Sequence, residues 1–138
     1  MRVMGIDHGT KRMGIAVSDE LGMIAMPVEY IPAEPAVALM RRLKELVTDR
    51  QVGQIVVGMP RNMDGSYGPA AEKVRAFVEE LRGALTLPVR TWDERLTSVA
   101  ANRALQEANV KGRRRREKVD QMAAALLLQA YLDATGGS

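Results

Sequence analysis

Apolar residues come in short bursts at the start of the chain and in spaced stripes later. Val3, Met4 and Ile6 form a burst that predicts a strand over Arg2 to Asp7. The turn residues His8-Gly9-Thr10-Lys11-Arg12 follow, then a second apolar strand over Met13 to Ser18. Asp19-Glu20-Leu21-Gly22 predicts another turn, with a third strand over Met23 to Ile31. Short turns between successive strands predict an antiparallel meander. The pattern then changes period. Pro35 suits the first position of a helix, and Leu39, Leu43, Leu46 and Val47 recur at helical spacing. Ile55-Val56-Val57, within Gln54 to Met59, lacks polar alternation and predicts a strand covered on both faces.

Pro60 to Gly68 is a loop rich in Gly, Pro, Asn and Asp. Pro69 opens a second helix with Val74, Phe77, Val78 and Leu81 along one side, and Leu87 to Trp92 predicts a fifth strand. Thr97 or Ser98 can cap a third helix running to about Asn109. A last helix is expected over about Glu117 to Ala134, with Val119, Met122, Ala123, Leu126 and Ala130 as its buried stripe. The order β-β-β-α-β-α-β-α-α implies an α/β fold: one five-stranded mixed sheet with helices on both faces, formed by a single domain over residues 1–138.

Composition narrows the chemistry. The 138 residues include no cysteine, which excludes disulfides, thiol nucleophiles and zinc–thiolate centres. Met1 to Asp7 is too short and too soon charged for a signal peptide, and no apolar run reaches membrane-spanning length. A soluble, cytoplasmic protein without a membrane partner is expected. The net charge is +3, but Lys111 to Lys118 alone contributes +5, so the remainder sums to −2. One local basic patch of this kind suits a polyanion, RNA or DNA.

The 17 acids can be sorted by where the strands end. Asp7 closes the first strand. Asp93 and Glu94 follow the fifth, which reaches the same edge if it runs parallel to the first. Asp120 lies in the first turn of the last helix, which can be packed toward that edge. Ligands collect at the carboxyl ends of parallel strands. Asp19 follows an antiparallel strand and belongs at the opposite edge. Asp64, in Met63-Asp64-Gly65-Ser66, is equally typical of a plain turn. Carboxylates held together repel unless a cation joins them. An all-oxygen set of Asp7, Glu94 and Asp120 suits Mg²⁺ or Mn²⁺, and two such ions would support hydrolysis of a phosphodiester.

Four blocks carry a resemblance to a known family. They are Gly5 to Asp19 (GIDHGTKRMGIAVSD), Ile55 to Gly68 (IVVGMPRNMDGSYG), Asp93 to Ala100 (DERLTSVA) and Val119 to Asp133 (VDQMAAALLLQAYLD). Together they resemble the YqgF, or RuvX, family of bacterial nuclease-like proteins. The resemblance implies a ribonuclease H-like fold and an acidic metal site built from Asp7, Glu94 and Asp120. It also implies one of two activities: trimming the 5′ end of the 16S ribosomal RNA precursor, or resolving four-way Holliday junctions in DNA, whose two-fold symmetry would call for a homodimer to make paired cuts. His8 departs from the small or acidic residue expected beside the first aspartate, and alone reads as an exposed turn residue.

Other residues are candidates for nucleic-acid contact. Lys11 and Arg12 flank the first acid, and Arg12 can grip phosphate with two parallel hydrogen bonds. The long loop offers Asn62, Ser66 and Tyr67. Arg95 follows Glu94 and would either anchor phosphate or orient Glu94. Arg113, Arg114, Arg115 and Arg116 precede Asp120 and would contact a backbone without sequence preference. Trp92 fits a buried strand end better than a base-stacking site. Two functions compete with a metal-dependent nuclease. A binding module without chemistry would use only the basic patch. A phosphotransferase is suggested by the turn Asp7 to Thr10, which resembles the phosphate loop of the sugar kinase and actin superfamily, but those enzymes close two such domains on ATP.

Overall fold

The computed structural model describes residues 1–62, 64–96 and 113–136, with side chains for all of these except 96 and 113–121. The helix expected from Thr97 or Ser98 to Asn109 lies outside the described residues. Strands β1 (Arg2–Asp7), β2 (Arg12–Ser18) and β3 (Ala25–Pro32) form the meander. Helix α1 (Ala36–Asp49), strand β4 (Val52–Met59), helix α2 (Pro69–Ala84) and strand β5 (Val89–Asp93) follow. A single 3₁₀ turn, Glu94–Leu96, continues β5, and helix α3 spans Arg113–Thr135.

The five strands lie in the order β3-β2-β1-β4-β5. The β1–β2 and β2–β3 pairs are antiparallel, whereas β1–β4 and β4–β5 are parallel. The carboxyl ends of β1, β4 and β5 therefore share one edge, as the strand order requires. The turn from Asp7 to Arg12 closes on that edge too, because Asp7 pairs with Gly14 and Arg12 with Pro32. Asp19 stands at the opposite edge, where its carboxylate accepts the N–H groups of Met23 and Ile24. Pro69 is the first residue of α2 as expected, while Pro35 caps α1 from just outside it.

Strand alternation divides the core in two. Met4, Ile6, Ile55 and Val57 face α1 and α2 and pack with Leu43, Leu46, Val74, Phe77 and Leu81. Val3, Ala16 and Val56 face α3 and pack with Ala124, Leu128, Tyr131 and Leu132. Ile55, Val56 and Val57 are each buried, which is why β4 shows no polar alternation. A side-chain carbon on Gly5 would meet Leu128 Cβ at 2.8 Å and the Ala124 carbonyl at 3.3 Å. The bare backbone at Gly5 is what lets α3 lie so close. Trp92 packs edge-to-face on Tyr131 with ring centres 5.6 Å apart, joining the end of β5 to α3.

Two expectations for α3 need correction. It begins at Arg113, so Arg113 to Arg116 belong to the helix and not to a preceding loop. Arginine is a good helix former, and a charge run does not interrupt helical backbone. The buried stripe is Ala123, Ala124, Leu127, Leu128, Tyr131 and Leu132, while Met122 is 44% exposed and Leu126 and Ala130 are half-buried. The run AAALLLQAYL is apolar nearly all round, so its period does not fix which side turns inward. The close approach at Gly5 fixes it. Gln129 holds the carboxyl half of α3 at the far edge: its Oε1 accepts the Ala25 N–H at 2.9 Å, and its Nε2 donates to the Met23 carbonyl at 2.9 Å.

Candidate active site

Asp7 is the last residue of β1 and only 2% exposed. Asp7 and Ser18 are the polar side chains fully buried among the described residues. Ser18 is explained by the fold, since its hydroxyl accepts the Val3 N–H at 2.9 Å. Asp7 shares its face with Val3 and Gly5, the face that α3 covers. Ile6 is level with Val57 of β4, so the next β4 position, Gly58, stands beside Asp7.

Gly58 explains how the second acid arrives. A side-chain carbon on Gly58 would lie 2.7 Å from Glu94 Oε1 and 3.1 Å from Leu127 Cδ2. The Glu94 carboxylate therefore reaches from the turn after β5 across bare β4 backbone toward Asp7, beneath α3. Burial raises the Glu94 pKa above its ordinary value, and the charge of Asp93 raises it further. Asp93 has the opposite environment. Arg95 donates to it from its side chain at 3.0 Å and from its backbone N–H at 2.9 Å, and Arg61 adds Nη1 at 3.2 Å. The Arg95 hydrogen bonds hold the Asp93 pKa below the usual carboxylate range. Two consecutive acids thus have separate tasks: Asp93 is committed to arginines, and Glu94 faces the buried edge.

The remaining candidates divide. Asp120 lies in α3, with its side chain outside the described residues, as are those of Arg113, Arg114, Arg115 and Arg116. Two of the three expected acids are described, and no group of three metal-binding side chains occurs among the described residues. Lys11 is exposed in the turn and Arg12 half-buried at the start of β2, both at the Asp7 edge. Arg95 is paired with Asp93, whose neighbour is Glu94. Asn62 organises its own loop, donating Nδ2 to Ser66 Oγ at 3.0 Å and closing a turn through its backbone. Asp64 is a turn acid whose Oδ1 accepts the Ser66 N–H at 2.9 Å. His8 is not an exposed turn residue. It is half-buried against Phe77, ring centres 5.1 Å apart, and that burial lowers its pKa, with the nearby Lys73 charge adding to the effect.

Several residues at this edge escape a reading of the sequence alone. Gly58, in Val57-Gly58-Met59, offered a signal, since glycine inside a buried strand marks a close approach. Arg61 offered none. Its Nε donates to the Gly65 carbonyl at 2.9 Å and its Nη1 to Asp93, tying the long loop to the end of β5. Lys73 and Arg75 look like ordinary surface positions of an amphipathic helix until α2 is docked.

Comparison with known proteins bears on this edge. A family model described as "RuvX: Holliday junction resolvase" matches residues 1–134. A Pelotomaculum thermopropionicum protein carrying the name "Putative pre-16S rRNA nuclease" is 50% identical over 137 residues, covering 99% of this chain and 89% of its own. A protein of that name from Symbiobacterium thermophilum is 52% identical over 134 residues, covering 97% and 93%. Among solved structures, Thermus thermophilus RuvC in complex with Holliday junction substrate superposes with a TM-score of 0.59 at 18% identity, covering 97% of this chain and 96% of that one. The fowlpox virus Holliday junction resolvase gives 0.51 at 11% identity, covering 97% and 99%. The structural likenesses establish the ribonuclease H-like fold. The family match and the full-length relatives establish more: this chain belongs to the RuvX family and is a hydrolytic nuclease.

Proposed function

We propose that the protein is a divalent-metal-dependent nuclease that trims RNA, with the 5′ end of the 16S ribosomal RNA precursor as its substrate. The observation that carries this reading is a buried Asp7 on β1 and a Glu94 carboxylate lying against Gly58 of the adjoining strand, which supports a common site for the two acids. Two acids on one buried face are costly alone and suited to a hard cation. Burial of the Glu94 carboxylate, with the Asp93 charge beside it, already raises its pKa. The donor set is all oxygen, which fits Mg²⁺ or Mn²⁺.

Asp120 is proposed as the third acid. It precedes Ala123 by three residues and Ala124 by four, both buried against the sheet, so helical period gives it the same stripe. Gln129 ties the carboxyl half of α3 to the far edge, which supports an amino-terminal half directed toward Asp7. Asp7, Glu94 and Asp120 would hold the ions. Two bound ions would supply the charge that activates water and stabilises the leaving oxygen in an in-line displacement. The chain's own residues do the rest. Leu127 stands with Glu94 over Gly58 and limits water there. Lys11 and Arg12 stand where they can draw a phosphate toward Asp7. Arg95 and Arg61 neutralise Asp93, so Glu94 is the one of the two neighbouring acids proposed to meet cations. Arg113 to Arg116 supply backbone contacts.

RNA is preferred because relatives near 50% identity over the whole chain bear that name. The description of the family favours a second reading, resolution of four-way DNA junctions. That reading requires a homodimer, because paired cuts need two-fold symmetry. A cleavage panel separates the two: four-way junction, duplex DNA, single-stranded DNA and single-stranded RNA, each with Mg²⁺ and Mn²⁺. We expect cutting of single-stranded RNA that vanishes in Asp7→Asn. Symmetric junction cleavage by a dimer would replace the RNA reading, and full activity of Asp7→Asn would overturn the site.

A further inference from the structure

Beside the acids, the loop after β4 holds a feature that cleavage chemistry does not require. Tyr67 is 46% exposed, yet two guanidinium groups rest over its ring. Arg61 Cζ lies 4.5 Å from the ring centre and Arg75 Cζ 4.3 Å. The two charges therefore stand at most about 9 Å apart, the sum of those distances. Like charges so close repel, and the ring offsets part of that repulsion through cation–π attraction.

We propose that Arg61, Tyr67 and Arg75 form a clamp for the phosphate backbone of the strand leading to the acids. The inference rests on the nuclease reading for its position and adds the residues that seat the strand. Three observations carry it. The first is place: Arg61 also donates to Asp93 at 3.2 Å, one residue from Glu94, so the clamp adjoins the proposed cleavage edge. The second is geometry: Arg61 is fixed in place by Nε and Nη2 on the Gly65 carbonyl and Nη1 on Asp93, so the charge best placed to take a phosphate is Arg75, resting on the same ring. Arg75 commits only Nη1, to Glu72 at 2.6 Å, among the described residues, and its side chain is 46% exposed. The third is weak competition. An exposed ion pair of this kind contributes little, so a phosphate can replace Glu72 at small cost. The ring meanwhile limits the motion of both long side chains, so less freedom is lost when a strand binds.

A purely structural role would bury the ring and leave substrate affinity unchanged. The test uses the full-length protein in an Asp7→Asn background and binds a single-stranded RNA oligonucleotide across a series of salt concentrations. Each lost phosphate contact lowers the magnitude of the slope of log K against log salt by about 0.7. Arg75→Gln is expected to lower it by about that amount, Tyr67→Leu by as much or more, and Tyr67→Phe to restore the wild-type slope. With the wild-type acids in place, Arg75→Gln and Tyr67→Leu are expected to raise KM for RNA cleavage several-fold and to leave kcat nearly as it was. Slopes and KM equal to wild type in both variants would overturn the clamp. A wild-type protein that fails to cut would instead overturn the nuclease reading, while the binding slopes still decide the clamp.

Discussion

Gly58 and Glu94 illustrate how a residue without a side chain can be as necessary to a site as one with a charge. Because Glu94 Oε1 occupies the space beside Gly58, Gly58→Ala forces the carboxylate from its position there while changing the sheet by a single methyl group. We expect cleavage to fall by at least tenfold while the circular dichroism spectrum stays native. Glu94→Gln has a different consequence. The pKa of Glu94 is raised in the fold, so its charged form opposes folding once the pH passes through the window above the ordinary glutamate value. Below that window the carboxyl is neutral in both states and the variant gains nothing. The metal-free Glu94→Gln protein should therefore melt a few degrees higher than wild type near neutral pH. That advantage should shrink toward zero as the pH falls, and activity should be lost throughout. Thermal melts at several pH values in chelator check the sign.

At the scale of elements, α3 decides the shape of the proposed cleavage edge. Gly5→Ala would set a carbon 2.8 Å from Leu128 Cβ and 3.3 Å from the Ala124 carbonyl. The Ala124 contact is with backbone, which cannot rotate aside, so the helix must lift. Overpacking of this kind costs about 1–3 kcal/mol, which a denaturant titration can resolve. The strands and first two helices were legible in the sequence because β1 and β4 are short apolar runs while α1 and α2 carry apolar residues at helical spacing. The edge shared by Asp7 and Glu94 followed from strand direction alone. The inward side of α3 was not legible, because Ala123 to Leu128 are apolar in every direction and only Gly5 and Gly58 on other strands select among them. Arg61 was equally hidden, since its partners Asp93 and Gly65 meet only after the sheet forms. Asp93 and Glu94, adjacent and alike in sequence, became distinct only through what surrounds each.

For the whole molecule, cation binding and stability should be linked. A ligand that binds only the folded state stabilises it by about 2.7 kcal/mol at a hundredfold excess over Kd. Mg²⁺ or Mn²⁺ should raise the melting temperature of the wild type in a dose-dependent way and leave Asp7→Asn nearly unmoved, as differential scanning fluorimetry would show. An equal rise in both proteins would mean that the ions bind elsewhere. Charge distribution acts at the same scale. Outside Lys111 to Lys118 the chain sums to −2, so its net positive charge comes from that one segment. The contact between Trp92 and Tyr131 adds a practical consequence. The chain has one tryptophan, lodged where β5 gives way to the turn that carries Glu94 and pressed on the helix that roofs it. Its intrinsic fluorescence is thus a built-in optical gauge of whether that roof is seated, readable in real time without any label.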